Sequence, residues 1–296
     1  MKLRIGTRGS SLARRQVELV IAAMRSSEPN TEIEVVVVQT EGDRRLDVSL
    51  DSVGGQGVFV KEIEQRLLAG EIDIAVHSLK DMPSDTPAGL FIGALLARAD
   101  ARDALVARDG LDLHSLPEGA RIGSDSRRRG AQLLALRPDL RIEGIRGNVE
   151  TRLRKVDEGE YDGVALAVAG LERLGLLGRA TQVFEVAEVI PAPGQGAIAI
   201  ECRAEDRETR TLLATIDDAN TRAATDAERA FLSVLGAGCR LPVGAYATVA
   251  GDTLKLGAVL AGEDGVLHRG DSTGTPRTAK QVGQALAWRL RIEARV

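Results

Sequence analysis

Short apolar runs alternate with longer mixed segments over the first two thirds of the chain. The runs Lys2–Ile5, Glu34–Val38 and Ile72–Val76 are rich in β-branched residues and predict buried strands. The segments 11–24 and 58–69 between them predict helices. Because alternating strands and helices are typical of a parallel, doubly wound sheet, we expect an α/β lobe here.

A second unit of the same kind begins near Ala101. Prolines and glycines over 191–196 then interrupt the pattern, as is typical of a crossing between domains. The apolar run Ala197–Glu201 resumes as a strand that could return to the first lobe. In the second unit we expect strands over 102–107, 120–123, 141–144 and 163–168, and helices over 126–136 and 148–157.

The last part of the chain has a different pattern. A helix over 225–235 precedes apolar runs that predict an antiparallel meander, and a terminal helix follows over 276–292. The expected fold class is therefore α/β, with two doubly wound lobes and a small α+β C-terminal domain. The meander strands are expected over 243–249, 254–260 and 266–269. The expected boundaries are 1–96 with 197–214 for domain 1, 97–196 for domain 2 and 215–296 for domain 3.

Composition narrows the class of protein. The 296 residues are 44% hydrophobic but only 2% aromatic, so the cores must be aliphatic. A net charge of −4 argues against nucleic-acid binding driven by overall charge. We see no signal peptide and no apolar run of membrane-spanning length. The two cysteines have no zinc-ligand spacing. We therefore expect a cytoplasmic protein without a metal site.

Lys80 and Asp81 come soon after the predicted strand Ile72–Val76, and Pro83 ends the stretch. Open α/β sheets place their ligand sites at the carboxyl ends of strands. An ion pair on a surface turn explains the same residues equally well. For His77, beside this strand end, a supporting or core position is the simpler interpretation. Asp81 is therefore the best candidate for general acid–base chemistry.

Arginines gather where predicted strands lead into helices. If these loops converge, their like charges need an anionic partner. The pattern therefore predicts a ligand with several carboxylates or phosphates. Scattered, solvated arginines are the alternative for any one position. The residues concerned are Arg8, Arg127, Arg128, Arg129, Arg146 and Arg152.

The two cysteines differ in their surroundings. Cys239 follows Gly238 and precedes Arg240, which favours an exposed, activated thiol, although an inert thiol is the commoner case. Cys202 follows an apolar run and is expected in a core or strand. The glycine-rich stretch 54–57 lacks the spacing and the Lys-Ser/Thr ending of a phosphate-binding loop. Nucleotide binding is therefore weakly supported.

A set of longer motifs runs in order along essentially the whole chain. They are IGTRGS at 5–10, GGQGVFVKE at 54–62, DIAVHSLKDMP at 73–83, RGNV at 146–149 with TRL at 151–153, AGL at 169–171, PGQGA at 193–197 and GC at 238–239. Together these motifs closely resemble the porphobilinogen deaminase (hydroxymethylbilane synthase) family.

The resemblance implies two lobes like those of periplasmic binding proteins and a third domain that carries a cofactor cysteine. It also implies a transferase of heme and other tetrapyrrole biosynthesis. Four porphobilinogen molecules would be joined head to tail into linear hydroxymethylbilane, with release of ammonia. A dipyrromethane cofactor would be attached to Cys239 through a thioether. No nucleic-acid or membrane partner is expected, and the protein is expected to be a monomer.

The same resemblance implies roles for individual residues. Asp81 would be the catalytic residue, bonding pyrrole N–H groups and moving protons. Phe59 would help to cover the site. The cofactor-binding set would be Cys239, Lys80, Asp81, Ser126, Arg128 and Arg129. The substrate-binding set would be Arg8, Ser10, Gln16, Phe59, Arg146, Arg152 and Arg173.

The chain departs from the family pattern at several positions. GSDSRRR at 123–129 stands where the family usually has GTSSLRR, so Asp125 adds a negative charge that Arg127 would offset. Gln56 replaces a common lysine, and Arg15 stands where bacterial members often have an aromatic residue. These changes bear on substrate contacts, loop behaviour and rate.

Two other functions fit part of the sequence. A non-catalytic, two-lobed binding protein for a small polyanionic ligand would explain the arginines, but not a loop cysteine together with Asp81. An enzyme of another class could use Cys239 as a transient nucleophile. That alternative requires a free thiol in the resting protein.

Overall fold

The structure is a computed structural model that describes residues 2–40, 60–236, 241–262 and 264–296. Contacts along the chain divide it into two compact units. Unit 1 comprises Met1–Ala99 and Ala197–Arg222, and unit 2 comprises Asp100–Gly196 and Ala223–Val296. The division into three domains with the boundaries given above stays a prediction.

Unit 1 is built on one five-stranded sheet. Its strands are β1 (Lys2–Thr7), β2 (Glu32–Val37), β3 (Ile74–Ser78), β4 (Leu90–Leu95) and β10 (Ile198–Arg203). Its helices include α1 (Ser11–Ser27), α2 (Lys61–Leu68) and α6 (Arg207–Ala214). The strand order is β2-β1-β3-β10-β4. Strand β10 is antiparallel to β3 and β4, so the sheet is mixed rather than wholly parallel.

The two faces of this sheet are covered by different helices. On one face, Val17 and Val20 of α1 pack against Leu3 and Ile5 of β1. On the other face, Ile63 and Leu67 of α2 belong to a second apolar cluster with Ala75 of β3. Because both faces are covered, β3 is buried at four of its five residues.

Unit 2 contains a second five-stranded sheet in the order β7-β6-β8-β5-β9. Its strands are β5 (Asp103–Ala107), β6 (Arg121–Gly123), β7 (Arg141–Glu143), β8 (Gly163–Ala167) and β9 (Gln182–Val183), and its helices are α3 (Arg127–Leu136), α4 (Val149–Asp157) and α5 (Val168–Arg173). Strand β5 is antiparallel to β8 and β9, whereas β6 is parallel to β7 and β8.

A three-stranded antiparallel sheet completes unit 2. It consists of β11 (Val243–Ala250), β12 (Thr253–Ala261) and β13 (Leu267–Gly274), in that order. Most of α7 (Ala219–Val234) and all of α8 (Ala279–Ala294) accompany it. Their shared core is aliphatic apart from Phe231. The predicted fold class, two α/β sheets and a small α+β region at the C-terminal end, is confirmed.

Element bounds differ from the sequence predictions at a few places. Strand β3 begins and ends two residues later than predicted, which brings its end to Ser78. Strand β4 was not predicted, because it is completed by pairing with the distant β10. No helix among the described residues is long and apolar enough to span a membrane.

Candidate functional site

Asp81 is held in a single turn that follows β3 directly. Residues Leu79–Asp81 form a 3₁₀ helix, closed by a hydrogen bond from Met82 N to Leu79 O of 3.1 Å. Leu79 and Met82 are buried and anchor the turn in an apolar cluster. The backbone N of Leu79 also donates to Ala197 O at 3.1 Å. The turn is therefore fixed on both sides, while Asp81 itself is half-buried.

Asp81 opens into a small pocket of unit 1, with a cavity volume of about 60 Å³. The pocket has room for a few water molecules or one carboxylate-bearing arm of a ligand. Three residues predicted to bind substrate lie in the same wall as the predicted catalytic residue. The polar lining consists of Arg8, Ser10, Gln16, His77, Ser78 and Asp81.

The first turn of α1 forms one side of the pocket. Ser10 caps this helix, its Oγ accepting a hydrogen bond from Ala13 N at 3.3 Å. Gln16, one turn further on, is buried and donates from Nε2 to Ser78 Oγ at 2.7 Å. The positive end of the helix dipole and the Arg8 guanidinium therefore share one pocket. Both features favour an anionic group there.

Unit 2 holds a different arrangement, a buried cluster of one carboxylate and two guanidinium groups. Asp103 Oδ2 lies 2.6 Å from Arg128 Nη1, and Asp103 Oδ1 lies 2.7 Å from Arg129 Nη2. Burial alone would raise the pKa of Asp103, but the charges of both arginines hold it well below its usual range. With Asp103 ionised, the cluster carries one net positive charge.

Arg128 and Arg129 are not equivalent in this cluster. Arg129 donates to Asp103 from Nε and Nη2, to Ala165 O from Nη1 and, at 3.5 Å, to Gln195. Arg128 donates from Nη1 to Asp103 and Ile190 O, while its buried Nε has no partner among the described residues. The excess positive charge and this unused donor fit a ligand carboxylate.

Of the other predicted arginines of unit 2, Arg146 lies in a loop and Arg152 lies in α4. Arg146 is half-buried, and Arg152 Nε donates to Gly147 O at 2.9 Å. Gly147 has a φ of +110°, and a Cβ there would meet Thr151 at 2.7 Å. A glycine is therefore required between the two arginines. Asn148 then caps α4, its Oδ1 accepting from Thr151 N at 2.8 Å.

Arg173, at the end of α5, uses one of its donors in a hydrogen bond to the backbone of a distant residue. Its Nη2 donates to Gly196 O at 2.6 Å, and its buried Nε has no partner among the described residues. Burial lowers the pKa of Arg173, opposed by the charge of Glu172. The side chain is thus positioned, with one donor unused.

Two residues at the start of α3, Ser126 and Asp125, both accept backbone hydrogen bonds. Ser126 is the N-cap of α3, its Oγ accepting from Arg129 N at 3.3 Å. Asp125, which departs from the family pattern, accepts a hydrogen bond from Ile145 N at 3.2 Å. Asp125 therefore fastens the loop that precedes Arg146.

Sequence reasoning missed four residues that complete these arrangements. Asp103 stands in a predicted strand, where a carboxylate in an apolar run was the available signal. Gln195, in the PGQG stretch, donates to Ala101 O and to Asp103 Oδ1, at 2.7 and 2.9 Å. Ser78 carries the partner atom of Gln16, and Glu201 lies 3.4 Å from His77. Ser78 belongs to the motif at 73–83, and Glu201, like Asp103, is a carboxylate in a predicted apolar strand, but neither partner could be assigned without the fold.

Of the two cysteines and the glycine-rich stretch, only Cys202 lies among the described residues. Cys202 is a fully buried free cysteine, so the predicted core position is confirmed. Burial is the main cause that raises the pKa of its thiol to about 11. Cys239, Phe59 and Gln56 lie outside the described residues. Lys80 is half-buried beside Asp81 but is not part of the pocket lining.

The fold and these sites define an α/β protein that places an aspartate, an arginine-bearing loop and a helix N-terminus around one small pocket. The chain belongs to the porphobilinogen deaminase family. Residues 3–211 match the family's dipyrromethane cofactor-binding domain, and residues 223–291 match its C-terminal domain.

Curated relatives agree along nearly the full chain. The porphobilinogen deaminase of Brevibacillus brevis is 48% identical over 289 residues, covering 96% of this chain and 94% of the relative. That of a Roseiflexus species is 49% identical over 283 residues, covering 96% and 93%. That of Acidithiobacillus ferrooxidans is 51% identical over 268 residues, covering 90% and 88%.

Membership confirms the predicted class of enzyme and its cofactor. The chain is a transferase of tetrapyrrole biosynthesis that acts on porphobilinogen and uses dipyrromethane. The alternative of a non-catalytic binding protein has no support from these matches. Among solved structures, the methionine binding protein MetQ is similar with a TM-score of 0.47 at 12% identity, covering 73% of this chain and 88% of that one.

Proposed function

We propose that Asp81 is the acid–base residue with which this chain joins four porphobilinogen molecules into linear hydroxymethylbilane. The observation that carries this proposal is the shared pocket of Asp81, Arg8 and the first turn of α1. Porphobilinogen bears two carboxylates and an aminomethyl group. The pocket offers a cationic wall to the former and a carboxylate beside it for the pyrrole nitrogen.

The proton balance of the reaction gives Asp81 a specific task. In each condensation a carbon–nitrogen bond of the substrate breaks and a carbon–carbon bond forms. The accepting pyrrole loses one proton from carbon, and the leaving amine gains one proton when it departs as ammonia. A half-buried carboxylate at the end of a fixed turn is suited to carry that proton.

The arginines would divide the carboxylates of substrate and cofactor between them. Arg8, with Ser10 and Gln16, would hold a carboxylate in the pocket of unit 1. Arg146, Arg152 and Arg173 would hold further substrate carboxylates, and Phe59 would cover part of the site. When bound, dipyrromethane supplies the pyrrole to which the first substrate is added. Arg128, Lys80 and Ser126 would hold its carboxylates, while Arg129 would act mainly by positioning Asp103 and Arg128.

Replacement of Asp81 tests the proposal directly. Asp81→Asn should retain the fold, because the turn is anchored by its neighbours, yet lose at least about a hundredfold in turnover. Asp85→Asn, an exposed aspartate four residues away, is the matched control and should keep normal turnover. Near-normal formation of hydroxymethylbilane by Asp81→Asn would exclude Asp81 as the acid–base residue.

Attachment of dipyrromethane to Cys239 is a separate proposal with its own test. Intact-protein mass spectrometry of the purified chain should find an adduct of two linked pyrroles. Cys239→Ala should lose that adduct, whereas Cys202→Ala should keep it, because Cys202 is buried. An unmodified Cys239 in active protein would contradict the attachment and favour a transient cysteine nucleophile.

The compartment, the oligomeric state and the absence of nucleic-acid binding are also proposals. We expect a cytoplasmic monomer that binds no nucleic acid, which the net charge of −4 supports. Light scattering coupled to size-exclusion chromatography should give a mass near that of one chain. A stable dimer would contradict the expected monomer.

A further inference from the structure

Two buried carboxylates lie behind the Asp81 pocket. Glu201 on β10 is 0% exposed, and Glu64 on α2 is 8% exposed. His77 on β3 lines the pocket, and its Nε2 lies 3.4 Å from Oε2 of Glu201. In the β3–β10 pairing, Glu201 is opposite Ala75 and Ala199 is opposite His77. His77 and Glu201 therefore project from the same face of the sheet, one diagonal step apart.

Several polar atoms of these three side chains are buried without hydrogen bonds in the described ranges. Both Oε atoms of Glu201, Oε1 of Glu64 and Nε2 of His77 are buried without a partner among the described residues. A buried carboxylate in this condition requires a proton or a neighbouring cation. In the described ranges, His77 is the basic side chain within ion-pair distance of Glu201. The imidazole of His77 is therefore the group placed to balance the charge of Glu201.

Glu64 reinforces this arrangement. Burial, and then the charge of Glu201, raises the pKa of Glu64 to about 6. An ionised Glu64 therefore adds a second negative charge to the surroundings of His77. The described residues contain no group of three His, Cys, Asp or Glu side chains placed to hold a metal ion.

We propose that His77 is a substrate-binding residue whose imidazole, held by Glu201, offers a carboxylate in the pocket a second cation beside Arg8. The inference rests on the proposed function of this pocket. A single carboxylate in the pocket can contact both cations, because Arg8 lies in the loop before α1 and His77 lies on β3. The charged groups around His77 are Arg8 and Asp81, which line the same pocket, Glu201 on β10 and Glu64 on α2. The uncharged Ser10 and Gln16 also line that pocket.

The test is the pH dependence of KM for porphobilinogen in the holoenzyme. Histidine loses its charge between about pH 5 and pH 8. At about pH 6 the KM of His77→Gln should be about tenfold above that of the parent chain. The KM values should converge at alkaline pH, because a neutral imidazole offers no cation. His114→Gln, an exposed histidine in unit 2, should behave like the parent throughout.

A second variant tests the coupling to the buried carboxylate. Glu201→Gln removes the partner of His77 and should raise KM at about pH 6 in the same way. The double variant should be no worse than His77→Gln alone, because both changes remove the same cation. Fully additive effects would overturn the proposal.

Other outcomes are equally decisive. A rise in KM that is the same at every pH would indicate a structural role for His77 and overturn the proposal. A loss of kcat without a change in KM would do the same. The result does not depend on Asp81, because Asp81→Asn is judged on kcat. Normal turnover by that variant would refute the acid–base assignment while leaving the KM profile of His77→Gln to decide the binding role.

Discussion

Asp81 and Asp103 both lie at strand ends, each with arginine nearby, yet their surroundings are opposite. Asp81 follows β3 of unit 1, is half-buried and opens into a pocket with Arg8. Asp103 begins β5 of unit 2, is 1% exposed and is bonded to Arg128, Arg129 and Gln195. The first carboxylate is left accessible for a ligand, whereas the second is fully committed to protein groups.

The comparison of Asp81 with Asp103 shows that an arginine near a carboxylate does not always mark a ligand site. In the buried cluster, Asp103 neutralises one of two arginines and fixes both in place. We propose that a cofactor carboxylate uses what remains, which is one net positive charge and the Arg128 Nε that has no partner in the described part of the chain. A fixed, partly satisfied guanidinium binds an anion without first losing conformational freedom. The pocket of unit 1 instead relies on a helix N-terminus and an accessible side chain.

The largest effect is expected from removing Asp103. Asp103→Ala leaves two buried guanidinium groups without their carboxylate, which should cost about 3–5 kcal/mol in the free energy of unfolding. Urea denaturation measures this loss. The exposed Asp85→Ala should change it by less than about 0.5 kcal/mol. A small loss for Asp103→Ala would mean that the cluster is hydrated or rearranged, and the contrast with Asp81 would fail.

The next largest effect separates the two arginines of the cluster. Arg129→Gln removes both bonds from Arg129 to Asp103 and one to Ala165 O, and should cost about 3 kcal/mol of stability. Arg128→Gln leaves Arg129 on Asp103 and should cost less, while reducing the fraction of chain that carries the dipyrromethane adduct. Denaturation and intact mass measure the two quantities. Equal losses of stability would show that Arg128 is as structural as Arg129.

Asp81 and Asp103 also differ in how far their roles could be predicted from the sequence. Asp81 could be predicted because the strand, the following polar pair and Pro83 are contiguous in the chain. The role of Asp103 depends on Arg128 and Arg129, which are 25 and 26 residues away and reach it only through the sheet order. The unpredicted β4 has the same cause, since its partner β10 is distant in sequence. Local pattern predicts elements, whereas the pairing of charges requires the tertiary fold.

A smaller effect is expected from Glu64, the buried carboxylate of unit 1. Its pKa is raised to about 6 in the fold, so its stabilising neutral form is retained at low pH and lost as pH rises through that value. Glu64→Gln should therefore stabilise the chain by about 2 kcal/mol above pH 6 and by little near pH 4. The exposed Glu71→Gln is the control. A gain that does not vary with pH would remove ionisation as its cause.

The smallest effect concerns Asp125, where this chain departs from its family. Its Oδ1 accepts from Ile145 N at 3.2 Å, so it fastens the loop before Arg146 rather than standing free beside a ligand carboxylate. Asp125→Ala should cost about 1 kcal/mol in urea denaturation, and Asp125→Asn, which keeps the acceptor, should cost clearly less. If both variants lose the same stability, the charge of Asp125 matters more than its hydrogen bond. In that case its neighbour Arg127 becomes the residue to replace, because only a charge effect would require an offsetting cation.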